Sequence, residues 1–352
     1  MLDKAGPLNQ FLTLTQSSWP IDHDPYLVIS QVLEISRDAA YALMNEARAA
    51  GLIRRIGPVF DSYKLGYVST LGAVKVPERR LEAVTAIINS YTSVTHNYLR
   101  ANAFNIWFTV IAWGDQELQR VIAEIADKTG LAILQLPALK LFKIRVDFNL
   151  SDQKRAAYPS STITPTLVTP QSFSPTDQQI IRILQENSFE GYYPYERLAK
   201  DISAALGRPF SEAALLATLR EWKDRGVIRR FGVTLSHQNV GLTANVMVVW
   251  DIPDAMSETA GCIMAKQEAV SHCYERSRYP DWPVNLYTMI HGRTLEDILT
   301  VIQHIRSALT QAGITVQEPQ LLPTQRELKK TAMKYFSEPA GSEPDKSTRE
   351  PA

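Results

Sequence analysis

The chain has 352 residues, more than most single small domains need, and at 45% hydrophobic and 21% charged it can build substantial cores. Lys+Arg 37 balances Asp+Glu 37, so no net charge announces a polyanionic partner such as DNA, although local patches stay open. Its two cysteines, Cys262 and Cys273, lack any repeated Cys/His spacing, which argues against a disulfide scaffold, a zinc finger or an iron–sulfur site.

In chain order, residues 1–58 carry helical patterning over 8–17, 25–33 and 37–50, with Ser36 as an N-cap and Gly51 as a stop. Three helices followed by Ile-Arg-Arg and a glycine resemble a winged helix-turn-helix. Residues 59–150 then predict strand 68–76, helix 78–91, strands 94–100 and 105–113, helix 116–129 and strand 131–146. That β-α-β-β-α-β order is a ferredoxin-like sandwich, with one sheet face covered by helices and the other free for a ligand or a partner sheet.

Residues 151–174 are rich in Pro, Ser and Thr and read as a linker long enough to let two halves pair face to face. The pattern then starts again. Residues 175–233 predict helices over 177–186, 195–206 and 211–225, with Ser211 as cap and Gly226 as stop. Residues 234–335 predict a second sandwich from strand 244–251, helix 257–267, strands 270–276 and 285–291, helix 295–312 and strand 314–322. Residues 336–352 are poor in apolar side chains and are expected to be a disordered tail.

GLIRRIGPVFDSYKLGY at 51–67 matches GVIRRFGVTLSHQNVGL at 226–242, so that Arg54, Arg55, Gly57 and Gly66 recur as Arg229, Arg230, Gly232 and Gly241 at one constant offset. His-x-Tyr-x-Arg at 96–100 recurs at 272–276. The fold class is therefore α+β, a tandem duplication of a winged helix-turn-helix plus a ferredoxin-like sandwich. A strand alternates its side chains, so His96, Tyr98 and Arg100 share one face, as do His272, Tyr274 and Arg276. By the same alternation Asn285, Tyr287, Met289 and His291 face one way, and the stretch 270–292 reads as a pocket wall. Cys273 points away from His272. His23, His237 and His304 lack convergent partners and read as ordinary polar residues.

A helix-turn-helix followed by this sandwich is similar to the Lrp/AsnC regulators. Within that superfamily IRRIG or IRRFG, HNYLR with NIWFT, and SHCYER with DWPVNLYTMIHG resemble a narrower group, the siroheme decarboxylases. The resemblance implies conversion of siroheme to 12,18-didecarboxysiroheme in haem d1 formation or the alternative haem pathway, each half standing for one of two related subunits. Removing an acetate carboxyl leaves electrons that the macrocycle accepts, and the new methyl group takes a proton. His96 and His272 are the expected general acids; either could instead approach the iron. Siroheme carries many carboxylates, so Arg54, Arg55, Arg100, Arg229, Arg230 and Arg276 are the expected clamps. The two Arg-Arg pairs could equally brace the wing or touch phosphate. Tyr98, Tyr274, Trp107, Trp282 and Tyr287 are candidates to stack on the ring or steer protons, with Asn285 and His291 beside them.

No cofactor is expected, because the iron arrives within the substrate and decarboxylation with proton return is redox-neutral. The expected partner is siroheme, with the two halves paired within one chain and a homodimer left open. DNA is not expected, since the candidate recognition helices carry acids about as often as bases. Without a signal-like N-terminus or an apolar run of membrane-spanning length, the expected location is cytoplasmic. The same features leave open a DNA-binding regulator or a haem sensor without turnover.

Overall fold

The structure, a computed structural model, describes residues 6–144, 164, 167–186, 189–236 and 244–337. Most of the expected linker, the tail beyond 337, His237 and Gly241 lie outside them.

The first half opens with α1 (Pro7–Ser17), α2 (Pro25–Leu33) and α3 (Arg37–Ala49), then β1 (Ile53–Phe60). Each helix starts where its sequence supplies a start. Asp24 accepts a hydrogen bond from the Leu27 amide at 3.0 Å, Pro25 follows as the first helical residue, and Ser36 accepts from the Ala39 amide at 3.1 Å. Next come β2 (Tyr67–Val74), α4 (Leu81–Ser90), β3 (Val94–Arg100), β4 (Ile106–Trp113), α5 (Gly114–Thr129) and β5 (Leu134–Ile144). The second half repeats the order with α6 (Pro175–Glu186), α7 (Pro194–Leu206), α8 (Glu212–Asp224), β6 (Ile228–Leu235), β7 (Ala244–Trp250), α9 (Ser257–Lys266), β8 (Val270–Arg276), β9 (Leu286–Gly292), α10 (Leu295–Gln311) and β10 (Gln320–Lys330). None of these helices is long and apolar enough to cross a membrane.

The halves do not pair face to face as expected. They join edge to edge into one closed eight-stranded barrel, in the order β10-β3-β4-β2-β5-β8-β9-β7. The two last strands make the closure, because each has 11 residues and serves two neighbours. Leu134–Pro137 of β5 pair with β2 of their own half, and Ala138–Ile144 continue along β8 of the other. Reciprocally, Gln320–Pro323 of β10 pair with β7, and Thr324–Lys330 cross to β3. Closure leaves no unpaired sheet edge in the barrel.

This exchange also explains why the final strand lies later than the 314–322 expected for it. Pro319 has no amide hydrogen to give a ladder, and Ile314 and Val316 pack beneath α10 instead. The true strand ends in the polar run Thr324–Lys330, whose apolar alternation is weak because it lies on the partner half.

Helices α9 and α10 cover one side of the barrel, and α4 and α5 the other, each over its own apolar core. Inside, Trp107, Met247, Trp282, Val284, Tyr287 and Leu322 fill part of the lumen. The six remaining helices share one core with β1 and β6. Those two strands pair antiparallel, with Gly57 opposite Gly232. Gly232 is there for space: a Cβ on it would lie 2.0 Å from the Gln16 carbonyl oxygen at the end of α1.

Candidate active site

Between the lumen plug and the β1–β6 pair lies a cavity of about 520 Å³, inside the range usual for a drug- or cofactor-sized ligand. Residues from the inner barrel wall, from β1 and β6, and from the segment 331–335 line it. Thirteen of the expected site residues meet there: His96, His272, Tyr98, Tyr274, Trp107, Tyr287, His291, Arg54, Arg55, Arg100, Arg229, Arg230 and Arg276.

The His-Tyr-Arg rows are arranged as strand alternation dictates. In β3 the His96 and Tyr98 rings lie 6.3 Å apart, and the Arg100 guanidinium sits 5.1 Å from the Tyr98 centroid. In β8 His272 and Tyr274 are 6.2 Å apart, with the Arg276 guanidinium 4.7 Å from Tyr274 and 5.6 Å from Tyr287. Across the ladders Tyr98 faces Trp107 and Tyr274 faces Tyr287.

Among the described residues the lining contains six arginines, Lys330 and three histidines but no aspartate or glutamate. Arg100 and Arg276 are 3% and 9% exposed. Arg100 donates to the Leu322 carbonyl at 2.8 Å and to Thr324 Oγ1 at 3.1 Å, and Arg276 donates to the Leu136 carbonyl. Both Nε atoms are buried without an acceptor, and among the described residues neither guanidinium pairs with a carboxylate. Burial lowers the pKa of both, that of Arg100 to about 10, so Arg100 keeps its charge at neutral pH.

The two Arg-Arg pairs divide their work. Arg55 donates to the Pro58 carbonyl at 3.0 Å and the Leu184 carbonyl in α6 at 3.4 Å; Arg230 mirrors it on the Val233 carbonyl at 3.0 Å and the Gln16 carbonyl in α1. Those two brace β1 and β6 against helix ends, as one of the alternatives anticipated. Arg229 is held by Asp61 at 2.8 Å, while Arg54 is exposed and donates to the Lys330 carbonyl at 2.9 Å.

Burial, with Lys330 and then Arg54 adding, pushes His96 down to about 4. His291 is likewise lowered to about 4 by burial, then Lys330 and Arg100. His96 is therefore neutral at pH 7 in the free protein, against the expectation of a group titrating near neutrality. The Tyr98, Tyr274 and Tyr287 phenols are raised to about 12 by burial and stay protonated donors.

Two expected contacts are corrected. Trp282 is buried behind the cavity wall, donating from Nε1 to Tyr287 Oη at 2.8 Å and packing 5.4 Å from Trp107. Asn285 precedes β9 and grips the Ile252 amide at 3.1 Å and its carbonyl at 3.0 Å. Asn105 holds Val76 in the same way, so this asparagine is a strand-end latch in both halves. His23 is exposed and pairs with Glu212, and His304 is exposed on α10, matching the ordinary roles expected.

The sequence reading missed Lys330 and Ser271. Lys330 lay beyond the expected last strand, yet it is registered opposite His96. Ser271 precedes His272, and strict alternation would turn it away. A bulge between Val270 and His272 brings consecutive side chains to the cavity, and the same irregularity lies between Val94 and His96.

The fold and site are thus a barrel formed from two related halves, with a chamber beneath paired strands whose described lining is rich in cations and free of carboxylates. The AsnC-like ligand binding domain family matches residues 64–143 and 239–329. The chain is 32% identical over 339 residues to a siroheme decarboxylase of Hydrogenobacter thermophilus, covering 95% of this chain and 96% of that one. The crystal structure of the siroheme decarboxylase NirDL in complex with an iron-uroporphyrin III analogue superposes with a TM-score of 0.71 at 29% identity, over 94% of this chain and 95% of that one. Separate subunits exist too: the siroheme decarboxylase alpha subunit of Nitratidesulfovibrio vulgaris is 45% identical over 141 residues, 40% of this chain and 80% of that one. The chain belongs to the siroheme decarboxylase family.

Proposed function

We propose that this protein decarboxylates siroheme to 12,18-didecarboxysiroheme, serving haem d1 formation or the alternative haem route. Its scaffold is a duplicated winged helix-turn-helix plus ferredoxin-like unit with boundaries at 1–58, 59–150, 175–233 and 234–335, joined by a linker at 151–174 and followed by a tail at 336–352. The observation that carries the reading is the chamber's charge: a chain with no net charge concentrates six arginines and Lys330 around one cavity, with no carboxylate among the described residues of its lining. Buried cations without counter-ions cost free energy, and a substrate rich in carboxylates supplies what is missing.

In this reading Arg54, Arg100, Arg276 and Lys330 receive the carboxylates, while the Tyr98 and Tyr274 phenols donate hydrogen bonds from the inner wall. Trp107 and Tyr287 offer ring faces. The acetate C–C bond breaks, its electron pair stays on the former acetate carbon in conjugation with the macrocycle, and His96 or His272 returns one proton to form the methyl group. Carboxylates seated beside Arg54 and Lys330 favour the charged form of His96, so a proton arrives with the substrate. The step is redox-neutral and calls for no separate cofactor. The test is anaerobic incubation with siroheme followed by mass spectrometry: loss of two carboxyl groups is expected, and siroheme recovered intact overturns the reading.

A further inference from the structure

The two halves are not equivalent around their histidines. In the second half Ser271 Oγ lies 2.8 Å from His272 Nδ1 and 2.8 Å from His291 Nε2, and 3.3 Å from the Met289 carbonyl. Imidazole, hydroxyl and imidazole thus form a continuous line. In the first half Thr95 Oγ1 stands 3.0 Å from His96 Nδ1, but the line stops there. The position matching His291 is Ile111, as two observations establish. Val94 pairs with Val110 where Val270 pairs with Ile290, and the next residue's amide donates to the Ser93 carbonyl in one half and the Ala269 carbonyl in the other.

A hydroxyl between two imidazoles can accept from one ring and donate to the other, which is the requirement for passing a proton along the line while the rings and the hydroxyl oxygen stay in place. The bulge before His272 is what turns Ser271 inward to make this possible.

We propose that Ser271 and His291 form a proton-return line to His272 that has no counterpart among the described residues of the first half. The inference rests on the decarboxylase reading. When the carboxyl group leaves as carbon dioxide, its bonding pair remains on the substrate carbon, and His272 delivers a proton there from Nε2. As Nε2 gives up its proton, His272 Nδ1 takes one from Ser271 Oγ, Ser271 takes one from His291 Nε2, and solvent protonates His291 at Nδ1, which leaves both rings neutral in the opposite tautomer. The line then runs back, with solvent protonating His272 Nε2 and His291 Nδ1 releasing its proton, before the second carboxyl group leaves. One solvent proton is consumed for each carbon dioxide released. Ser271 and His291 act through His272 and are positioning residues.

The experiment compares Ser271→Ala, His291→Gln and Ser271→Thr with wild type, measuring siroheme affinity by absorption titration and kcat in H2O and D2O under anaerobic conditions. Glutamine keeps a hydrogen bond to Ser271 but cannot relay a proton, and threonine is what the first half carries. Expected are unchanged affinity, a kcat about a hundredfold lower with an increased solvent isotope effect in Ser271→Ala and His291→Gln, and near-normal turnover in Ser271→Thr. Normal kcat and isotope effect in Ser271→Ala overturn the line. So does a slow Ser271→Ala beside a fast His291→Gln, which would mean a hydrogen bond is all that is needed. Wild-type protein that binds siroheme without turnover defeats the decarboxylase reading instead, a different result from either.

Discussion

Replacing Arg276 by methionine should separate stability from binding. In the free protein Arg276 is 9% exposed, and its guanidinium donates to the Leu136 carbonyl, leans on Tyr274, and has no carboxylate partner among the described residues. A desolvated charge without a counter-ion is a burden on the fold, and methionine has similar length and an apolar surface, so the melting temperature of the free protein should hold or rise. In the proposed substrate complex the same guanidinium would meet a carboxylate. A charge-assisted hydrogen bond of this kind contributes about 1.5–3 kcal/mol. Its loss weakens siroheme binding roughly 10- to 150-fold. Absorption titration gives the affinity and circular dichroism gives the melt. Wild-type affinity in Arg276→Met refutes the assignment of this arginine to the substrate.

Further outcomes follow from the same geometry. His96→Ala and His272→Ala should each lower turnover by on the order of a hundredfold, the scale of a lost general acid, measured as didecarboxysiroheme formed per minute; normal rates in both remove the histidines from the chemistry. His96 and His291 titrate near 4 in the fold against an ordinary 6.5, so the folded state favours their neutral forms. Their contribution is complete above about pH 6.5 and is lost as the pH falls toward 4, by up to about 3 kcal/mol for each, which urea unfolding at pH 7, 5.5 and 4.5 will resolve. Calorimetry near pH 6 in buffers of different ionisation enthalpy should show proton uptake when siroheme binds. Gly232→Ala forces a methyl group against the Gln16 carbonyl and should destabilise by about 1–3 kcal/mol in denaturant unfolding, with no compensating flexible neighbour to move aside.

Much of this molecule was legible in its residues. Capping serines and stop glycines place α3 and α8 to within a residue, since those signals act locally along the chain. Strand alternation aligned His96, Tyr98 and Arg100, and His272, Tyr274 and Arg276, because period two is a property of the extended backbone. Duplication showed that the rows come in pairs. Asn285 misled for a corresponding reason: a strand boundary one residue later turns its amide to the Ile252 backbone, and no periodic pattern marks that.

What local sequence carried, then, was the identity of the elements, the duplication, and the histidine, tyrosine and arginine rows. The tertiary structure alone decided that the last strands cross between halves, that the two sheets close into one barrel, and that Lys330 reaches His96. It also decided that Arg55 and Arg230 hold helix-end carbonyls while Arg100 and Arg276 are buried with no carboxylate partner among the described residues. Those outcomes depend on pairings between residues far apart in the chain and on the loss of water around charges, quantities that arise when the barrel shuts and exist in neither half by itself.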